Sequence, residues 1–341
     1  MKHRKTILMI GPYSTVGGVS IHIKRVSQLL QQDYDFLFVD ESPRTEKESP
    51  VFNIRSKNIF KYLGLVRKAD VVHIHSGVNI LRWFHLLCAF VFRKKTIVTF
   101  HTIYNLSSAF QIKINRWFLN LSDEVICVSD EIKELLKNKK AQIIPAFVPP
   151  ILDKEANLPA ALQSLLKTNI NKKIAVSNAF RLEQHKGEDL YGLDLLLDVA
   201  SRFKKEKVAA FIIFIIADTN DAAGLYKKYE NRIVSEKLED YIAIFPKPIS
   251  FVSLMQQSDV VVRATNTDGD ALTVREALFF NKPIVVSDVT NRPEGSILFK
   301  NRNADDLYLK VVDAFKDKNE PEKTEEPKKD YKQIYVTVYE L

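Results

Sequence analysis

The segment Thr6-Ile7-Leu8-Met9-Ile10-Gly11-Pro12-Tyr13-Ser14-Thr15-Val16-Gly17-Gly18-Val19 sets the pattern for the chain: an apolar run, a glycine-bearing loop, then a helix start. Beyond it, Val19, Ile23, Val26 and Leu30 fall at i, i+4, i+7 and i+11, one stripe of a 3.6-residue period. Apolar runs rich in β-branched residues recur at Phe36 to Val39, Val71 to Ile74, Thr96 to Phe100, Val125 to Val128 and Gln142 to Ile144, and helical spacing fills the gaps. Strand and helix in alternation predict a parallel, doubly wound sheet over residues 1–150.

Between Pro145 and Asn171 the rhythm breaks. Pro149-Pro150 stops regular structure, so a linker is expected over 151–171, with a short helix around Ala160 to Leu166. The alternation then restarts with strands at Ile174 to Ala179, Phe211 to Ile216, Ile242 to Phe245, Val260 to Val262 and Ile284 to Val286. Helices are expected at Leu193 to Lys204, Ala222 to Ser235, Phe251 to Gln257 and Thr273 to Phe280. This predicts a second Rossmann-like unit over 172–315. Residues 316–341 form a charged linker, Lys316 to Asp330, followed by Tyr331 to Leu341, where aromatic and aliphatic residues return and should dock on something.

A length of 341 residues fits two domains, and 46% hydrophobic with 27% charged residues excludes wholesale disorder. Cys88 and Cys127 lie in apolar runs with neither disulfide nor metal-ligand spacing, and read as reduced core thiols. No run approaches the roughly 18–20 apolar residues of a membrane span, and Ile7 to Ile10 is too short for a signal peptide, so a cytoplasmic protein is expected. The longest apolar run, Trp83 to Phe92, reads as a buried core helix, with interfacial docking as the alternative. Residues 1–150 hold 22 Lys and Arg against 12 Asp and Glu, whereas the rest of the chain is close to balance. Residues 51–100 carry nine basic side chains and one acid, Asp70, which favours an anionic partner. Nucleic acid is not expected, because no recognisable motif interleaves these basic residues.

Open α/β sheets bind ligands beyond the carboxyl ends of their strands. Gly17-Gly18, at a helix start, offers backbone N–H groups to phosphate or carboxylate; a plain tight turn is the alternative. His101 ends one strand run and His75 another, each as a group projecting from the sheet edge or as a structural histidine, while His22 reads as packing. In Arg181-Leu182-Glu183-Gln184-His185-Lys186-Gly187, two cations five positions apart suit a diphosphate, or form a solvated basic loop. Asp268-Gly269-Asp270-Ala271-Leu272-Thr273-Val274-Arg275-Glu276-Ala277-Leu278 runs an acidic glycine turn into a helix: carboxylates for sugar hydroxyls and N–H groups for phosphate, or an acidic turn with Thr273 and Glu276 as a capping box.

An acid, seven residues and a glutamate heading Glu-Ala-Leu, followed by Lys282-Pro283-Ile284-Val285-Val286-Ser287, closely resembles the signature of the family 4 retaining glycosyltransferases. The Arg181 to Gly187 loop is similar to that family's diphosphate loop, Gly17-Gly18 to its first glycine loop, and Asp123 to Ser129 to its strand ahead of a helix. The resemblance implies a GT-B fold: two Rossmann-like domains facing across a cleft, with a C-terminal helix returning to the first. It implies that Arg181, Lys186 and the backbone of Ala271 and Leu272 hold the donor diphosphate. Glu276 would hold the ribose and Asp268 the transferred sugar, with His101 beside the reacting carbon and Phe245, Pro246 and Lys247 near the base. Three positions depart from the family pattern: Asp268 stands for Glu, Phe180 for Gly, and Ala146-Phe147 for Asn-Gly.

The expected activity is metal-independent transfer, with retention, from a nucleotide sugar to a glycan acceptor in capsule, exopolysaccharide or lipopolysaccharide synthesis. The donor is a substrate, with UDP-sugar expected ahead of GDP-sugar, so no cofactor or metal is called for. Basicity of the first half suits a lipid-linked acceptor and a peripheral site at the inner, anionic membrane face. The alternatives are a non-catalytic partner subunit of another transferase and a nucleotide-sugar epimerase.

Overall fold

The computed structural model describes residues 4–14, 17–43, 51–102, 106, 108–221, 223–268, 271–316 and 330–340. Backbone contacts divide the chain into two units, Met1–Val148 with Lys328–Leu341, and Pro149–Pro327.

The first unit contains strands β1 (Thr6–Gly11), β2 (Asp35–Asp40), β3 (Phe52–Asn53), β4 (Val71–Ile74), β5 (Lys95–Phe100), β6 (Glu124–Cys127) and β7 (Ala141–Ile143). They pair in parallel in the order β3-β2-β1-β4-β5-β6-β7. Its helices are α1 (Gly18–Leu30), α2 (Ile59–Lys68), α3 (Asn79–Val91), α4 (Ala109–Phe118) and α5 (Asp130–Leu136). Because strand side chains alternate, the sheet feeds two cores. Leu8, Ile10, Val72, Ile74, Val98 and Phe100 meet residues of α2 and α3. Ile7, Met9, Val71, Ile97 and Ile126 meet α1 and the C-terminal residues Tyr335, Val338 and Tyr339.

The expected strands are all present, with ends shifted by at most two residues. Only β3 was not anticipated, being two residues long. The run Trp83 to Phe92 lies in α3 and its C-cap, but it is not a buried helix: Leu86 and Ala89 face the core, while Leu87, Phe90 and Val91 are at least half exposed.

The second unit opens with α6 (Ala160–Thr168), inside the segment expected as linker; Leu158 and Leu162 there are buried against the second sheet. Strands β8 (Lys173–Arg181), β11 (Ala210–Asp218), β12 (Ile242–Phe245), β13 (Val260–Arg263), β14 (Ile284–Ser287) and β15 (Ile297–Phe299) form a parallel sheet, in the order β12-β11-β8-β13-β14-β15. Between β8 and the next helix, β9 (Gln184–His185) and β10 (Glu188–Asp189) make a small hairpin. The helices are α7 (Leu193–Glu206), α8 (Leu225–Ser235), α9 (Phe251–Gln256), α10 (Leu272–Phe279) and α11 (Ala304–Lys316). Asp221 accepts from the Leu225 and Tyr226 amides, which starts α8 later than its apolar pattern suggests.

The final helix, α12 (Tyr331–Glu340), belongs to the first unit. Its docking is specific: Tyr339 Oη lies 2.9 Å from His73 Nδ1 on β4, and Glu340 takes bonds from Lys5 and Tyr34. Residues 317–329, most of the expected charged linker, lie outside the described residues.

Candidate active site

Each sheet reverses its strand order once, between β1 and β4 in the first unit and between β8 and β13 in the second. Ligands of open α/β sheets bind beyond the carboxyl ends of strands at such a switch point. All four strand ends there carry residues singled out from the sequence or their neighbours.

In the second unit, β13 ends at Arg263 and the chain turns through Thr265 to Asp268. Asp268 accepts from Arg263 at 3.1 and 3.3 Å, from Arg292 at 3.0 Å and from the Thr265 hydroxyl at 3.0 Å. Burial alone would raise its carboxyl, but the two guanidinium groups outweigh that and hold it below the usual carboxylate range. Arg292 is itself fixed by the Ser287 carbonyl and hydroxyl. Leu190, Tyr191, Arg263, Thr265, Thr267 and Asp268 line an open cavity of about 330 Å³, the lower end of the range for ligand sites. One glycine shapes its wall. Gly192 has φ +72°, and a Cβ there would overlap the Ala264 carbonyl oxygen, so only glycine brings the Leu190–Tyr191 turn against the end of β13.

The helix after this turn, α10, has Ala271 as its N-cap and no side-chain cap. Thr273 therefore stands inside the first turn, and the Thr-x-x-Glu spacing is not a capping box. Leu272 opens the helix and Val274 makes the first bond back to Ala271, so the N–H groups of Ala271, Leu272 and Thr273 have no helical acceptor. Glu276 is buried on the same helix. Gly269 and Asp270 lie outside the described residues.

Arg181 is the last residue of β8 and pairs with Asp218, its register partner on β11. That bond raises the guanidinium pKa further. Lys186 and Gly187 form the two-residue turn of the β9–β10 hairpin, at φ +54° and +81°, as a tight hairpin of this kind requires. Lys186 is exposed at its tip. Phe245 ends β12, the edge strand, with Pro246 and Lys247 exposed beyond it. The expected base region is thus separated from β8 by β11. Of the expected donor residues, Asp268 alone lines the cavity. Arg263 and Arg292 were not anticipated; the signal for Arg263 was a cation ending an apolar strand five residues before the acid, while Arg292 sits in a loop without pattern.

In the first unit, Gly17 is the N-cap of α1 in an extended conformation, and a Cβ there would meet nothing within 4 Å. Thr15 and Val16 lie outside the described residues, but Tyr13 and Ser14 are tied by their amides to buried Asp40 at the end of β2. His75 follows β4, His101 follows β5, and the rings join: His75 Nδ1 lies 3.0 Å from His101 Nε2. His22 is buried, and its ring packs edge-on against His101 with centroids 4.9 Å apart. Burial, reinforced by the neighbouring imidazoles, keeps His75 and His101 well below the ordinary histidine range. His22 is lowered to about 4, chiefly by burial. These imidazoles are neutral at pH 7 and act as hydrogen-bond or electron-pair donors. Arg82, buried and lowered to about 10, packs over Phe100 and bonds Asn79, Asn115 and the Ser76 carbonyl beneath them.

Sequence comparison matches residues 16–150 to the model for Glycosyltransferase Family 4 and residues 184–317 to that for Glycosyl transferases group 1. No curated protein matches. Among solved structures, HepE of Anabaena in complex with UDP and glucose aligns at 13% identity over 93% of this chain and 92% of its own, with a TM-score of 0.68. A glycosyltransferase of Rickettsia africae aligns at 19% identity over 92% and 88%, TM-score 0.68. Sucrose-phosphate synthase of Thermosynechococcus elongatus aligns at 14% identity over 92% and 90%, TM-score 0.60. These three share the fold with this chain.

Proposed function

The chain belongs to the glycosyltransferases, matching Family 4 in its first unit and group 1 in its second, and from that premise we propose that it moves a sugar from a UDP-sugar to a glycan acceptor with retention. The observation that carries this reading is the cavity at the carboxyl end of β13, where a carboxylate held by two arginines stands one turn ahead of a helix start. Departure of a nucleoside diphosphate builds negative charge, and fixed cations with unpaired helix N–H groups stabilise it. Arg181 and Lys186 supply that charge at the end of β8 and in the following hairpin. Ala271 and Leu272 supply amides, and Glu276 bonds the ribose. Asp268, kept ionised, accepts from sugar hydroxyls, and neutral His101 serves the reacting centre. Phe245, Pro246 and Lys247 border the base. HepE was solved with UDP and with UDP-glucose, and an Escherichia coli trehalose-6-phosphate protein with UDP-2-fluoro glucose, which supports the choice of base.

Acceptor binding is assigned to the first unit, whose α2, α3 and α4 expose Phe60, Ile80, Phe90, Val91, Phe110 and Trp117. Exposed Lys57, Lys61, Arg67, Lys68 and Arg93 accompany them. A basic surface with large apolar groups suits the face of an anionic bilayer, and so a lipid-linked glycan acceptor in surface-polysaccharide assembly. Among the described residues, no helix is long and apolar enough to cross a membrane. The test is a thermal-shift panel of nucleoside diphosphates and nucleotide sugars, followed by transfer assays with the best donor. UDP and one UDP-sugar should raise the melting temperature most. Stabilisation by no nucleotide would remove the reading, and isomerised donor without acceptor would replace it with epimerisation.

A further inference from the structure

Three histidines from separate elements of the first unit converge at the carboxyl end of its sheet: His22 on α1, His75 after β4 and His101 after β5. One ligand nitrogen of each lies within 4.8 Å of the others, and His75 Nδ1 and His101 Nε2 are 3.0 Å apart. Imidazole nitrogens around tetrahedral zinc, bonded at about 2.0–2.1 Å, stand about 3.3 Å from one another. A small contraction of the trio therefore closes a coordination shell. From this convergence we propose that His22, His75 and His101 form a binding site for one transition-metal cation of the zinc class.

Three further observations fit a metal site better than a packed histidine cluster. The His22 Nδ1 group lies 2.7 Å from the Ala146 carbonyl, which only accepts, so Nδ1 carries the proton and Nε2 presents its lone pair. A ligating histidine is oriented by this same bond from its second nitrogen to a carbonyl. The Tyr335 hydroxyl, 3.3 Å from His22 Nε2, is a weak contact that a cation would replace. His75 is 1% exposed and its Nε2 has no hydrogen-bond partner. The His75 ring thus does not spend both its nitrogens on protein partners, unlike that of His73. Finally, the site has a floor. The His73 ring packs 4.0 Å from that of His75, with both its nitrogens engaged by Tyr339 and Thr99, so it walls the site without ligating. His101 is half-buried, and zinc held by three histidines takes water as its fourth ligand.

Neutral imidazoles need not shed a proton to bind, and imidazole donors favour zinc, copper and nickel over magnesium and calcium. A cation here ties up the lone pair of His101, so it acts as a brake on transfer. That consequence rests on the glycosyltransferase reading; occupancy of the site does not.

The test titrates the metal-stripped full chain with Co²⁺ and follows the visible absorption of tetrahedral cobalt. One equivalent should bind, and Zn²⁺ should displace it and raise the melting temperature. His101→Ala and His22→Gln, with circular dichroism as the native chain's, should each weaken binding at least about 100-fold. A native chain that takes up no cobalt, or whose cobalt band and zinc-induced stabilisation survive both substitutions, overturns the site. If either variant does not fold, the stoichiometry and melting shift of the native chain decide. With cobalt binding established, transfer that continues at full rate with one equivalent of zinc overturns the brake and leaves the site standing. Absence of transfer with every donor, zinc or not, strikes the glycosyltransferase reading instead.

Discussion

Arg292 Nη1 donates to Asp268 Oδ2 at 3.0 Å across 24 residues of chain, and Arg292 has only 2% of its side chain exposed. The acid most central to the candidate site is therefore also the counter-ion of a buried cation, and its truncation has two separate consequences. Removing one partner of a buried ion pair costs about 3–5 kcal/mol because the other charge is stranded. Asp268→Ala should accordingly lower the urea midpoint markedly, whereas Asp268→Asn, which keeps acceptor geometry, should cost less. If Asp268→Ala is as stable as the native protein, the arginine clamp does not hold the acid in solution.

Lys186 and Arg181 differ in what surrounds them, and their substitutions should differ accordingly. Each loss should lower turnover by roughly 10²- to 10³-fold, as for other single stabilisers of transition-state charge. Lys186 has φ +54°, so Lys186→Asn, which tolerates that conformation, isolates the charge from backbone strain. Arg181→Ala also releases Asp218, leaving an acid at the end of β11 that should weaken diphosphate binding further. Native turnover in both variants would show that the diphosphate is held elsewhere.

Both sheets were legible in the sequence because each central strand is an apolar run buried on two faces, and the turns between runs carry glycine, proline or polar residues. What escaped lacked such contrast: β3 and the β9–β10 hairpin are two-residue strands, and β15 has only three residues. Candidate residues at strand ends were legible by position, His101 and Arg181 among them. The Arg292 half of the clamp on Asp268 and the histidine trio were not, since each joins residues separated in sequence through pairings that only the sheet order creates. His73 and Tyr339, 266 positions apart, are the clearest case: the docking of Tyr331 to Leu341 was expected, its seat on β4 was not.

Glu276 lies within α10 and Ala271 is its N-cap, so the carboxylate is not needed to start the helix. Glu276→Gln should therefore lower nucleotide affinity, through loss of charge-assisted bonds to the ribose, while the melting temperature barely moves. Calorimetry of UDP binding together with a melt separates the outcomes. A lower melting temperature with unchanged affinity would assign Glu276 to structure alone.

For the first unit, the exposed apolar residues of α2, α3 and α4 and the basic side chains around them predict binding to vesicles containing anionic lipid, with release as salt rises. Phe60→Ser, at an 85% exposed position, should weaken binding without altering the fold. Equal affinity for neutral vesicles, or none for either, would remove the membrane assignment.

The last prediction concerns metal on the donor side. Asp268-Gly269-Asp270 has the Asp-x-Asp spelling used elsewhere to hold a divalent ion against a diphosphate, but the surroundings of Asp268 argue otherwise. Two guanidinium groups and the Thr265 hydroxyl already occupy its carboxylate, and a cation approaching it would be repelled by Arg263 and Arg292. The charge that a metal would supply comes instead from arginine, lysine and the start of α10. With donor and acceptor identified, transfer should therefore persist in excess chelator, and should rise if zinc had occupied the histidine trio. By the same reasoning Asp270→Ala should be milder than Glu276→Ala. Should chelation abolish transfer and manganese restore it, the metal-free role of the β13–α10 turn is refuted, and a comparison of Asp268→Asn with His101→Ala in manganese would show which of the two holds the ion.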